Sequence, residues 1–252
     1  MFDNFLIRKI RRRAGIAVLV IVSCLLSPVP EARADQSTEI DRQVRSARDV
    51  LQGMIAIPED SIPEELLARC RAVVIYPSVI KGGFILGGRY GKGVVLKREK
   101  ATGKWGPLAF TTITGLSVGF QAGVQATDLV LVIMNNRGLE RLLSTKLVLG
   151  GDAAISIGPI GRNAEMATDI SLQAGILSYS RSRGLFGGAA LNGSIVAPDN
   201  AATKAYYQKD VTVREVLLGE NSPSQPSAVE LANLLNDYSG RWAKRKTWRG
   251  KT

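Results

Sequence analysis

Leu116-Ser-Val-Gly-Phe-Gln-Ala-Gly-Val-Gln125 alternates without a break, with Leu116, Val118, Phe120, Ala122 and Val124 on one side and Ser117, Gly119, Gln121, Gly123 and Gln125 on the other. A period of two sustained over this stretch is the pattern of a strand with one face inward and one wet. Upstream, Val73 to Ile80 is nearly all apolar, as in a strand buried on both faces, and Gly83 to Lys97 is a glycine-rich strand with a bend or bulge expected around Gly91. Downstream, Asp128 to Met134 repeats the buried pattern. Ala153, Ile155 and Ile157 alternate with small residues, and so do Ile170, Leu172, Ala174 and Ile176, before the register shifts to Leu177 and Tyr179. After Gly184, Ala189, Leu191 and Ile195 fall on one side and Ala190, Asn192 and Ser194 on the other. So many strands with small outward residues predict an α+β fold: a curved antiparallel sheet or partial β-barrel with packed helices at its ends.

Helical spacing flanks the strands. Ile40, Val44, Ala47, Leu51 and Met54 form one apolar stripe, with Arg42, Arg45, Arg48 and Asp49 on other faces. The stripe lacks large aromatics, so packing on the domain ranks above membrane insertion. Ser61-Ile-Pro-Glu-Glu-Leu-Leu67 opens a short helix, and Asn136 to Ser144 reads as another. Glu220 to Pro226 has the turn residues of a linker, and Ser227-x-x-Glu230 is the capping-box pattern for a last helix through Trp242. The tail beyond it holds Arg241, Trp242, Lys244, Arg245, Lys246 and Trp248 and no acid. The expected organisation is a signal peptide over 1–34, an amphipathic helix over 35–57, an α+β core over 58–219, and a linker, helix and basic tail over 220–252.

With 252 residues the chain can close a real core. Lysine and arginine outnumber aspartate and glutamate 33 to 22, a formal charge of +11 that points to anionic partners. At the N-terminus, Arg8 to Arg13 is a cationic stretch, Ala14 to Leu26 is apolar, and Ala32-Arg33-Ala34 offers a signal-peptidase site. Export to a bacterial periplasm, or secretion, with peripheral membrane association is the expectation. Ile21-Val-Ser-Cys24 loosely fits a lipobox, so acylation at Cys24 is the second-ranked alternative to cleavage after Ala34. Cys70 then stays as a single thiol, read as a small buried hydrophobe.

The sequence contains no histidine. That excludes a Ser-His-Asp triad, a Cys-His site, a histidine-ligated zinc and a histidine general base. Gly115-Leu-Ser117-Val-Gly119 matches the nucleophile-elbow pattern, but with no histidine to serve as base its hydroxyl is inert. Gly91-Lys92 lacks the remaining residues of a phosphate-binding loop, and Asp128, Asp152, Glu165 and Asp169 are too spread for a metal cluster. No catalytic residue, metal or cofactor is assigned.

What is left is cationic. Lys81-Gly-Gly-Phe-Ile-Leu-Gly-Gly-Arg-Tyr-Gly-Lys-Gly93 sets Lys81, Arg89 and Lys92 in glycine, and Tyr179-Ser-Arg-Ser-Arg-Gly-Leu-Phe-Gly-Gly188 does so with Arg181 and Arg183. Glycine lets backbone N–H groups approach an anionic headgroup while the cations close on it. These blocks, together with Ile75-Tyr-Pro-Ser-Val-Ile-Lys81, Trp105-Gly-Pro107, Gly119-Phe-Gln-Ala-Gly123, Asp128-Leu-Val-Leu-Val132 and Val216-Leu-Leu-Gly219, resemble in their order the SYLF-domain family of lipid-binding proteins, over roughly Ile40 to Gly219. The resemblance implies anionic-lipid binding without catalysis. It directs the reading to anionic phospholipid headgroups, met through Lys81, Arg89, Lys92, Arg181 and Arg183, with the basic tail as a further membrane contact. The alternative is a structural envelope module that docks a protein partner, with incidental lipid affinity. Nucleic acid is a poor partner for an exported chain.

Overall fold

The computed structural model describes residues 32–56, 61–83, 86–118, 123–160, 175–182, 185–187, 191–219 and 225–249. The chain divides between Ser37 and Thr38, and of the first part only 32–37, the opening turns of a helix, are described. From Thr38 onward helices pack on both faces of one curled, half-barrel sheet.

In chain order the elements are α1 (Ala32–Ile55), α2 (Glu64–Arg69), β1 (Ala72–Gly83), β2 (Leu86–Arg98), β3 (Trp105–Val118), β4 (Gly123–Ile133), α3 (Asn136–Leu142), β5 (Leu147–Val148), β6 (Ile155–Ile157), β7 (Ile176–Ser182), β8 (Leu185–Gly187), β9 (Ile195–Pro198), α4 (Asn200–Tyr207), α5 (Val213–Leu218) and α6 (Pro226–Arg249). The strands join in the order β5-β9-β3-β2-β1-β4-β7-β6, with β8 added to β7. Pairing is antiparallel except between β6 and β7.

The alternation in β1 sorts its side chains between two cores. Val73 and Ile75 join Val94, Phe110, Val130 and Val132 on one face, covered by α1, α2, α4 and α6. Ala72, Val74 and Tyr76 join Val95, Ile113, Leu129 and Leu131 on the other, covered by α3 and α5. A strand buried on both faces reads as a continuous apolar run, as Val73 to Tyr76 does. The stripe Ile40, Val44, Ala47, Leu51 and Met54 of α1 is spent in the first core.

Three sequence expectations are corrected here. The alternating stretch from Leu116 to Gln125 is not one strand: Leu116 and Val118 end β3, Val124 lies in β4, and β2 and β1 stand between those strands in the sheet, while 119–122 lie outside the described residues. The bulge expected around Gly91 falls instead on β1, where the register shifts between Tyr76 and Val79 and Ser78 takes φ 56°. The strand expected after Gly184 breaks up: β8 is short, 191–194 is a turn in which Gly193 has φ 77°, and pairing resumes at β9, while 188–190 lie outside the described residues.

Candidate functional site

Among the described residues, helices cover one end of the sheet. At the other end β3, β2, β1 and β4 lie side by side, β1 and β2 consecutive and antiparallel and β3 and β4 on the two outer flanks, and the register defines rows across them. Gly82 pairs with Gly88 and Val124, and Gly88 with Leu116. The next row holds Lys81, Arg89, Gln125 and Gly115, and the next Ile80, Tyr90, Ala126 and Thr114.

Because side chains alternate, the two faces of this end differ. On the face continuous with α1 stand Leu116, 86% exposed, Val124, 78%, Ile80, 50%, and Tyr90, 48%. These are large apolar groups gathered on neighbouring strands, whereas scattered single ones need no explanation. The opposite face carries Lys81 and Arg89 as direct cross-strand neighbours. Like charges opposite one another in an antiparallel pair destabilise it, which is the cost of presenting positive charge there. The stem of Arg89 passes over Gly115, where an added Cβ would lie 3.3 Å from Arg89 Cγ and 3.0 Å from Ser194 Oγ. Its Nη1 donates to Ser194 Oγ at 3.0 Å. Burial holds the Arg89 pKa below the ordinary guanidinium value.

Glycine in β2 has a structural cause as well. The Tyr76 ring lies over Gly93, where a Cβ would overlap the ring and come within 2.7 Å of the Ile75 carbonyl, and its hydroxyl meets Thr111 Oγ1 at 3.0 Å. At Gly91 a Cβ would lie 3.0 Å from Val79 Cγ2.

The sequence-selected cations therefore separate. Lys81 and Arg89 share a row and a face. Lys92 is exposed and lies on the apolar side, nearer the helices. Arg181, on β7, is divided from Lys81 by β4 and points to the opposite face. There its Nη2 donates to Asp128 Oδ2 at 3.2 Å, against Gly53 of α1. Asp128 Oδ1 also accepts the Ser78 N–H at 3.2 Å, so Arg181 and Asp128 brace the β1 bulge. Arg183 lies outside the described residues. In the tail, Arg241 is exposed and its guanidinium carbon sits 5.5 Å from the centre of the Tyr238 ring, while Trp242 lines a cleft with Arg98 and Lys104. The side chains of Lys244, Arg245, Lys246 and Trp248 lie outside the described residues. Sequence reasoning missed Leu116, Val124, Ile80 and Tyr90 as a surface; the nearness of Ile80 and Tyr90 to the glycine-rich β1–β2 turn region was the available signal.

Among the described residues no catalytic arrangement is assembled. A nucleophile elbow needs a strand-to-helix turn, whereas β3 runs on through Ser117 to Val118 and the next described element is β4. Asp152 accepts the Val148 N–H at 2.8 Å, a turn cap. The Cys70 thiol is buried and its pKa is pushed up to about 12 by that burial. Among the described residues no group of three or more metal-ligating side chains converges, and no helix is long and apolar enough to cross a membrane.

Residues 114–238 match the family model described as Ysc84, "Las17-binding protein actin regulator". The chain belongs to the SYLF-domain (Ysc84) family. It is 32% identical over 186 residues to SH3 domain-containing YSC84-like protein 1 of Homo sapiens, covering 73% of this chain and 54% of that protein. It is 31% identical over 216 residues to an SH3 domain-containing protein of Schizosaccharomyces pombe, covering 84% of this chain and 49% of the relative. LAS seventeen-binding protein 3 of Saccharomyces cerevisiae is 29% identical over 208 residues, 81% of this chain and 44% of that protein. The chain spans about half the length of these curated relatives.

Proposed function

We propose that this SYLF-domain chain is a non-enzymatic module that binds an anionic phospholipid surface through the uncovered end of its sheet. The observation that carries the reading is the apolar group Leu116, Val124, Ile80 and Tyr90 on an end whose other face presents Lys81 and Arg89. Each cation near an anionic bilayer contributes about 1 kcal/mol, and burying a large aliphatic side chain about 1.5–3 kcal/mol. Neither contribution alone anchors a protein, but several of each together do.

Export is part of the proposal, supported by the Arg8–Arg13 stretch, the apolar run after it and Ala32-Arg33-Ala34. The matching ligands are then phosphatidylglycerol, cardiolipin or the phosphates of lipid A. Mass spectrometry of the mature N-terminus checks the processing, and a diacylated Cys24 would replace cleavage after Ala34.

Co-sedimentation with vesicles tests the binding. Phosphatidylcholine vesicles containing phosphatidylglycerol should pellet the protein and pure phosphatidylcholine should not; equal pelleting by both would rule out the electrostatic part. A second reading, docking of a protein partner, is favoured by the relatives' printed association with Las17. Charge reversal of Lys81, Arg89 and Lys92 together separates the two, since loss of vesicle binding with retained protein partners supports the second.

A further inference from the structure

We propose that a cleft at the helix-covered end of the sheet, between α2, the β2–β3 turn and α6, binds the phosphate dianion of a small hydroxylated monoester, a sugar phosphate. The cleft is separate from the uncovered end proposed to meet lipid. β2 runs from Arg89 there to Arg98 here, about 30 Å at ~3.4 Å per residue.

The cleft has a volume of about 470 Å³, the size of a small-molecule site. Arg98 and Lys104 line it and no carboxylate does. Glu99, the acid of the turn, instead accepts Thr102 Oγ1 at 2.8 Å and lines the neighbouring cleft. Arg98 is held in place from two sides. Its Nε donates to Gly103 O at 2.6 Å and its Nη1 to the Ala68 carbonyl, which ties α2 to the turn. A guanidinium carries five N–H groups, so three stay available to a ligand. The turn that carries Lys104 is itself fixed, because Glu99 N–H donates to Lys104 O at 2.9 Å and Gly103 takes φ 68°.

α6 supplies the facing wall, with Asn233, Asn236 and Gly240 recurring at helical spacing and Trp242 adding an aromatic surface. Asn236 Oδ1 accepts the Trp105 N–H at 3.0 Å, which fixes the carboxamide and leaves its Nδ2 as a donor. Gly240 points to an occupant. Glycine inside a helix is destabilising relative to alanine, yet a Cβ here would meet nothing within 4 Å among the described residues. Packing therefore gives no reason for the glycine, whereas a bare position in a cleft wall leaves room for a ligand.

Charge and polarity select the ligand. A phosphate monoester carries about −1.5 to −2 near neutral pH and offers three acceptor oxygens, which match two cations and amide donors better than a single carboxylate does. Apart from Ala68 and Trp242 the lining is polar side chains and glycine, so a hydroxylated body fits and an acyl chain finds no apolar track.

Isothermal titration calorimetry of the full chain at about 0.15 M salt tests the site. Glucose 6-phosphate should bind, and glucuronate, a similar ring with a single carboxylate, should bind about tenfold or more weakly. Lys104→Glu and Gly240→Leu should each weaken glucose 6-phosphate binding about tenfold or more. Lys209→Glu makes the same charge change at an exposed residue outside the cleft and should leave the affinity unchanged. Gly240→Leu should not lower the urea midpoint, since its side chain enters open space; should that variant fail to fold, the exposed Lys104→Glu decides. Absence of binding, equal affinity for glucuronate, or a loss with Lys209→Glu as large as with Lys104→Glu would overturn the site. Full affinity in a folded Gly240→Leu would do so too. Binding of phosphatidic acid vesicles without any response to glucose 6-phosphate would likewise overturn it, by giving the cleft to a lipid headgroup.

Discussion

Arg181 illustrates how one neighbour decides what a cation does. Its guanidinium lies where a side chain at Gly53 would go, and it pairs with Asp128 in a site where both side chains are about three-quarters buried. Alanine in place of a helical glycine ordinarily gains up to about 1 kcal/mol. Here that gain should vanish, because the new methyl pushes the guanidinium away from Asp128. In an Arg181→Ala background the same Gly53→Ala change should stabilise by about 1 kcal/mol, a change of sign that a double-mutant cycle in urea resolves. Additive effects would mean that the guanidinium moves aside freely. Arg181→Ala itself should leave vesicle affinity unchanged, which separates it from Lys81 and Arg89.

At the scale of elements, the pattern Ser/Thr-x-x-Glu has different outcomes at the last two helices. Thr212 and Glu215 form a reciprocal capping box at the start of α5, which sequence reading did not single out. Ser227 and Glu230, expected to cap the last helix, turn outward to α1. Ser227 Oγ donates to Asp41 Oδ1 at 2.5 Å, and Glu230 lies 3.5 Å from Arg48. The Ser227 hydrogen bond, chief among the causes and opposed by desolvation, holds the Asp41 carboxyl below its usual range, with Arg45 adding to the effect. A carboxylate depressed in the folded state contributes stability above its unfolded pKa of about 3.9 and loses it as pH falls through the folded value. Ser227→Ala should therefore cost about 1 kcal/mol at neutral pH, and the cost should shrink once the carboxyl is protonated. Urea unfolding at neutral and strongly acidic pH measures this, and a cost independent of pH would show that the bond draws nothing from the charge.

Across the whole molecule, stability runs along the strands. In β4, Val130 and Val132 are sealed in the core under α1, whereas Val124 to Ala126 are exposed and, among the described residues, pair only with β1, their outer edge uncovered by any strand. Backbone amides should follow that gradient, with slow exchange at Val130 and Val132 and fast exchange at Val124 to Ala126. Anionic vesicles should slow the second group and leave the first unchanged. Uniform protection along β4 would contradict the two-zone architecture, and slowing confined to α6 would point to the basic tail as the contact.

Much of the fold was legible in the residues: the apolar runs of β1 and β4, the stripe of α1 and the excess of cations are local properties, and no histidine means no histidine chemistry whatever the fold. Period two divides a strand into two faces but does not say which face, or which half of its length, another element covers. Only the tertiary structure decided that Leu116 and Val124 lie bare where alternation suggested burial, since α1 packs beside the other half of the sheet. It also decided that Lys81 and Arg181 part company: an extra residue at the Pro77–Ser78 bulge resets the parity of β1, and β4 stands between them. Charge and periodicity are written residue by residue, whereas burial belongs to pairs of elements and exists only once they pack.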